Sequence, residues 1–334
     1  MLRVIHTTGD DQLARVFVAE LEDGALIECV ESVQPPVPRE KKWVLIVSTL
    51  KGCPIDCPIC DAGGHYRGRL SAEEILSQVE FLVRRRYPTG RVRIPKLKVQ
   101  FARMGDPALN EAVLEVLTTL PQHLDLPGLM PCISTVAPAG REAFFERLID
   151  IKRRHYSDGR FQMQFSLHTT DDAARRRLIP ARTWGLSQIA AYGGRFHESG
   201  DRKITLNFAP AVGLPLDPGA LVARFSPEIF LIKLTPINPT QSAMRSGLQS
   251  AVDPLNPARC RELADHFRRA GYDTLLSIGE QQENQIGSNC GMFVSHVGAQ
   301  RSSFAAAHQR SVCEPASSSF ATRSQPTASS RRIE

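Results

Sequence analysis

Residues 51–61 read KGCPIDCPICD, which places Cys53, Cys57 and Cys60 in a Cys-x3-Cys-x2-Cys spacing directly after an apolar run. Thiolates are the ligands that cubane iron–sulfur clusters use, and three of them on one tight loop can hold three of the four irons. The fourth iron is then left for a ligand that the protein does not supply. A structural zinc would want four ligands in two separated pairs, and no second pair stands in the chain. Ordinary loop thiols would not explain three cysteines within eight residues. The segment therefore predicts one 4Fe–4S cluster with three cysteine ligands. The other five cysteines, Cys29, Cys132, Cys260, Cys290 and Cys313, are scattered.

Such a loop needs regular elements to present it. WVLIVS (43–48) reads as a buried strand ending just before the cysteines. Ser71 and Glu74 form a capping-box pattern that opens a helix running to about Arg86. Strands follow at 97–101, 131–136, 161–167, 203–208, 229–234 and 274–278. Helical patterns at 109–120, 142–151, 171 onward with a restart near Trp184, and 257–270 lie between them. Strand–helix alternation means parallel strands joined by right-handed crossovers. The reading is an α/β fold, a partial (β/α)6 barrel over 41–285, with a doubly wound open sheet as the architectural alternative. In either architecture functional residues gather at the C-terminal ends of the strands. Residues 1–40 form an N-terminal β extension, VFVAELEDG then ALIECVESV, closed by a Pro-rich link at 34–38. Residues 286–298 read as a loop around Cys290, and 299–334, rich in Ser, Ala, Gln and Arg, as a disordered tail.

The chain carries a net charge of +6, with a pI near 9.0. Basic residues cluster at 84–86, 91–98, 152–154 and 175–177. An acidic partner such as RNA suits this pattern, because phosphate contacts supply most non-specific affinity. Solvated helix ends are the plainer account of each cluster. No run of ~18 apolar residues would cross a bilayer, and the N-terminus lacks the pattern of a secretory signal. Grouped thiols without an export signal point to metals or catalysis in a reducing compartment, not to a disulfide scaffold. A cytoplasmic, monomeric protein is expected.

The cysteine spacing resembles the radical S-adenosylmethionine superfamily, whose cofactor chelates the open iron and is cleaved by one electron to a 5′-deoxyadenosyl radical. Further segments, in order, resemble the RlmN/Cfr family of RNA adenosine methyltransferases. They are VESV (30–33), GRLSAEEILSQV (68–79), MGDP (104–107), IST (133–135), SLH (166–168), PINP (236–239) and NCGM (289–292). The resemblance implies a radical-S-adenosylmethionine barrel in which Gly105, Asp106, Ser134, Ser166, His168 and Asn238 contact S-adenosylmethionine. It implies that Cys290 carries a methyl group to an electrophilic adenine carbon in rRNA or tRNA, with Glu31 as an active-site acid. An electron donor such as flavodoxin or ferredoxin follows from the same chemistry. A radical enzyme acting on a peptide or small molecule, or a non-catalytic iron–sulfur RNA-binding protein, are the competing functions.

Three departures stand out. The family has a second catalytic cysteine seven residues before the first cluster ligand, where this chain has Ile46. Cys29, two residues before Glu31, would share a strand face with it and could approach the same site. The family also carries an N-terminal helical domain that grips RNA, and the sequence begins too late to include one. Asp106 is one methylene shorter than the family's glutamate, so its contact with the cofactor is expected to differ.

Overall fold

In the computed structural model, which describes residues 2–278 together with Ile286 and Val294, one ten-stranded sheet organises the chain. β1 (Arg3–Gly9), β2 (Ala14–Glu20) and β3 (Leu26–Ser32) form an antiparallel meander. β3 then pairs antiparallel with β4 (Lys42–Val47). The short hairpin of β5 (Leu50–Lys51) and β6 (Gly68–Arg69) brackets the loop with the three cysteines. From β4 onward pairing is parallel, through β7 (Lys96–Phe101), β8 (Leu129–Thr135), β9 (Gln162–Ser166), β10 (Ile204–Phe208), β11 (Phe230–Leu234) and β12 (Thr274–Leu276).

Strand order in the sheet follows chain order without a reversal. A doubly wound sheet reverses at a switch point, so that alternative is set aside. The sheet winds one way and stays open, since β1 and β12 do not pair among the described residues. It nevertheless curves round. Thr240 Oγ1 donates to Ile59 O at 3.1 Å, and the amides of Gln241 and Ser242 donate to the Asp61 carboxylate at 3.0 and 2.8 Å. The loop after the first parallel strand thus meets the loop after β11, as it would in a barrel left open at one side.

The helices are α1 (Ala72–Arg86), α2 (Ala112–His123), α3 (Glu142–His155), α4 (Asp172–Leu178), α5 (Leu186–Phe196), α6 (Pro218–Val222), α7 (Gln241–Arg245) and α8 (Pro257–Arg269). The capping box of α1 is present: Ser71 Oγ accepts from Glu74 N at 3.0 Å, and Ser71 N donates to Glu74 Oε2 at 2.7 Å. The period-two pattern of β7 explains the two faces of the sheet. Leu97, Val99 and Phe101 are buried in the main core with residues of α1 and α2, while Lys96, Lys98 and Gln100 point the other way. The inner face is therefore polar, and that is where a site can form. β1 was not foreseen; it is an edge strand with no buried residue, so the sequence carries no apolar period there.

Candidate active site

The cysteine loop is built from β4 outward. Cys53 makes an isolated bridge with Gly63, and Cys60 N donates to Cys57 O at 3.0 Å, so the loop folds back on itself. Ile55, between the first two cysteines, packs with Val136, Leu178 and Ile179, and this apolar group also touches Cys53 and Cys57. Cys53 sulfur receives backbone N–H groups from Ile55 and Asp106. Burial nonetheless pushes the Cys53 thiol up to about 12, and burial and the neighbouring thiols push Cys57 well above its ordinary value. Among the described residues no three His, Cys, Asp or Glu side chains converge on one point as a single ion requires. Three thiolates serving three separate irons need not converge in that way.

Beside the loop lies a cavity of about 400 Å³, walled by Ile59 of the cysteine loop, Gln100, Gln164, His168, Asn207 and Asn238, among others. His168 and Asn238, from two different strand ends, thus line the same cavity. His168 holds φ +67, a left-handed conformation rare for a residue with a side chain. Its Nδ1 accepts from Ala209 N at 3.1 Å, which fixes the neutral ring with its proton on Nε2. Burial, then the charge of Arg175, pushes its pKa down to about 4. Ser134 is linked to the cavity by Gln100, whose Nε2 lies 3.5 Å from Ser134 Oγ. Ser166 sits in register with Asn207 on the adjacent strand.

Gly105 and Asp106 are next to the cysteines and do not line the cavity. Gly105 has φ +89, and a Cβ there would come within 2.4 Å of Leu50 Cβ, so only glycine lets this turn close over β5. Asp106 accepts from Ala108 N (2.9 Å), Thr135 Oγ1 (2.7 Å) and Val136 N (2.7 Å). Burial pushes its pKa up to about 6 against these hydrogen bonds. The short aspartate therefore ties the turn after β7 to the end of β8.

Glu31 is a correction. In an antiparallel strand alternate residues face opposite ways, and on β3 it is Val30 and Ser32 that line the cavity. Glu31 points to α1, where it is 1% exposed and ion-paired with Arg85 and Arg86. Cys29 shares that face, as expected of i and i+2, but the face is the core and burial raises its thiol far above the ordinary value. The inward acid of β3 is Glu28, fully buried and 2.7 Å from Arg103. Cys290 lies outside the described residues.

The basic clusters also read differently in three dimensions. Arg85 and Arg86 hold Glu31 and Asp11, and Lys152 is buried against Glu198 and Asp201. Arg175, 2% exposed, donates to Thr183 Oγ1 (2.8 Å), Trp184 O (2.8 Å), Val136 O (2.7 Å) and Ser166 O (3.2 Å). One guanidinium thus ties together the strand ends that carry Ser134 and Ser166. The arginine run hid it, because nothing in three consecutive arginines marks which one turns inward.

No family model matches the chain. A probable dual-specificity RNA methyltransferase RlmN from Thermosynechococcus vestitus is 30% identical over 281 residues, covering 80% of this chain and 76% of that protein. The chain belongs to the RlmN family. An RlmN relative from Frankia alni is 27% identical over 301 residues, spanning 86% of this chain but 66% of the relative. Against the Frankia relatives the chain therefore spans about two thirds of the RlmN length. A radical SAM methyltransferase from Sphaerobacter thermophilus shares the fold, with TM-score 0.69 at 21% identity over 87% of this chain and 80% of that one. No helix of the described residues is long and apolar enough to cross a membrane.

RlmN membership implies an iron–sulfur cluster and S-adenosylmethionine, and the residues present fit both. These thiols are buried and their anions would repel one another, so they ionise poorly alone, and a cationic iron centre reverses that balance. In the cavity, the Asn207 side-chain oxygen is buried without a partner, as a wall awaiting a polar ligand would be.

Proposed function

We propose that the chain is a radical S-adenosylmethionine methyltransferase that methylates an adenine carbon of rRNA or tRNA through a methyl-cysteine relay at Cys290. When bound, the cluster and S-adenosylmethionine supply an electron and a 5′-deoxyadenosyl radical. Cys53, Cys57 and Cys60 would hold the cluster in the dry pocket made by Ile55 and Val136. His168, fixed as the neutral Nε2–H tautomer, would offer a donor without adding charge beside the sulfonium. Asn238 and Ser166 would orient the cofactor, and Arg175 keeps the strand end of Ser166 in place. The electron donor would be a flavodoxin or ferredoxin, in the cytoplasm.

The observation that carries the reading is the meeting of the cysteine loop with His168 and Asn238 around one cavity in a chain of this family. The two described residues flanking Cys290 add support. Ile286 packs against Ala14, Val16 and Val30, and Val294 N donates to Glu28 Oε1 at 2.8 Å. Each is four residues from Cys290 in the sequence. Both anchors sit on the β2–β3 wall, whose Val30 lines the cavity. A second reading, radical chemistry on a different substrate, is favoured by Ile46, which lines the same cavity where the family carries a cysteine.

The test is peptide mass mapping of anaerobically reconstituted protein incubated with S-adenosylmethionine. A methyl group on Cys290 supports the relay. An unmodified Cys290 beside a cluster that still cleaves the cofactor would favour the second reading.

A further inference from the structure

Among the described residues six buried side-chain polar atoms have no hydrogen-bond partner. Five are N–H groups of arginine and tryptophan; the sixth, Asn207 Oδ1, is the one acceptor. Asn207 is 8% exposed and belongs to the cavity wall. It stands on β10 with Ser166 in register on one side and Lys233 on the other. Buried carbonyl oxygens are nearly always hydrogen-bonded, because leaving water without a replacement partner is costly. An orphan of this kind in a cavity wall is best explained by a ligand that brings the missing donor.

The donor's chemistry is constrained. A carboxamide oxygen only accepts, so the ligand must present an N–H or an O–H toward β10. A thioether, a sulfonium or a carboxylate offers neither, and the α-amine, which does have N–H, is the group that the family resemblance commits to the open iron. The nucleoside half of S-adenosylmethionine offers both, as two ribose hydroxyls and the adenine amine. We infer that Asn207 is a further cofactor-binding residue, one that accepts a hydrogen bond from the nucleoside of S-adenosylmethionine. This rests on the assignment of the cavity to that cofactor. Asn207 lies inside an apolar strand, ITLNF, and none of the segments that carry the family resemblance includes it.

The experiment is calorimetric titration of the cluster-loaded protein with S-adenosylhomocysteine, which binds without being consumed. Asn207→Leu removes the acceptor at similar volume, and Asn207→Asp keeps an oxygen in the same place. Loss of one neutral hydrogen bond predicts a Kd about tenfold higher for Asn207→Leu, with Asn207→Asp recovering most of the affinity. Two further ligands locate the donor: S-inosylhomocysteine, which lacks the amine, and an analogue without both ribose hydroxyls. One of the two should bind the wild type and Asn207→Leu equally well. Equal binding of S-adenosylhomocysteine by wild type and Asn207→Leu would overturn the inference while leaving the cavity assignment standing. So would a loss of the same size for all three ligands, since Asn207 would then act only through the shape of the wall. A wild-type protein with an intact cluster that binds none of them would overturn the cavity assignment itself.

Discussion

Glu31 is where the family resemblance and the structure make opposite predictions, and Glu31→Gln separates them. As an active-site acid, Glu31 should be needed for turnover and of little consequence for folding. The structure instead buries its carboxylate against Arg86, with Nε at 2.6 Å and a second guanidinium nitrogen at 2.8 Å, and against Arg85. Removing one member of a buried pair costs about 3–5 kcal/mol when the other is left stranded. Here neither arginine is stranded, because both also reach Asp11 and their side chains are 20% and 27% exposed. Solvent and Asp11 take up part of the charge, which brings the expected loss to about 2 kcal/mol. For a domain of this size that corresponds to a Tm lower by ~3 °C. The assay is thermal unfolding of wild type and variant, followed by titration with S-adenosylhomocysteine below both transitions. The structural account expects a lower Tm and unchanged cofactor affinity. A variant with wild-type Tm that has lost all RNA methylation would refute the placement of Glu31 and restore it as a catalytic group.

The remaining expectations concern other parts of the site. Arg175→Met strands four acceptors, two of them at the ends of β8 and β9, so it should destabilise the fold by about 3 kcal/mol or more and weaken S-adenosylhomocysteine binding; calorimetry that finds unchanged affinity would show that Arg175 does not position the site. Gly105→Ala puts a Cβ 2.4 Å from Leu50 Cβ at φ +89, which should cost about 2–3 kcal/mol and lower iron content after reconstitution, measured per protein. His168 is held neutral down to about pH 4, so as pH drops from about 6.5 the unfolded chain takes up a proton that the folded chain refuses, and stability falls by up to ~3 kcal/mol. Asp106, raised to about 6, works the other way over much of that range; denaturant titrations should therefore compare wild type with His168→Gln, the wild type losing its relative stability between about pH 6.5 and 4. Ile46→Cys restores a thiol on the cavity wall and should reduce any covalent RNA–protein adduct that the wild type accumulates, scored on denaturing gels.

What the sequence made legible were the elements that carry a period or a spacing. The loop of three cysteines follows its strand, the α1 capping box is formed, and the polar positions His168 and Asn238 after strands line one cavity with Ile59 of the cysteine loop. What it hid depends on the facing of single residues. VESV matched a family segment, but a segment match cannot say which of two adjacent residues points inward, and the strand's register turned Glu31 to the helices and Val30 to the cavity. Arg175 was hidden among two other arginines, and Lys152 beside Arg153 and Arg154, because a helix shows its buried position only through partners distant in sequence. Asn207 was visible in principle as the polar residue in an apolar strand. The pairing of β10 between β9 and β11 was needed to make that position a cavity wall.

The wall formed by β3 and β4 bears most directly on how the chain would complete a reaction. Val30 and Ile46 are register partners and both line the cavity. Ile286 joins the same small apolar group, and Val294 is tied to Glu28 on the same strand. Cys290 lies between them in the sequence, and the wall carries Ile46 where the family resemblance expects a second cysteine. Cys29 cannot stand in for it: it faces the opposite side of β3, inside the core. No cysteine lines the cavity among the described residues. Val30 and Ile46 make that part of the wall apolar, and the hydroxyl of Ser32 beside them is no thiol with which to displace a bound product. Under the relay proposed for Cys290, release is then the step for which this chain needs a route other than a thiol at position 46.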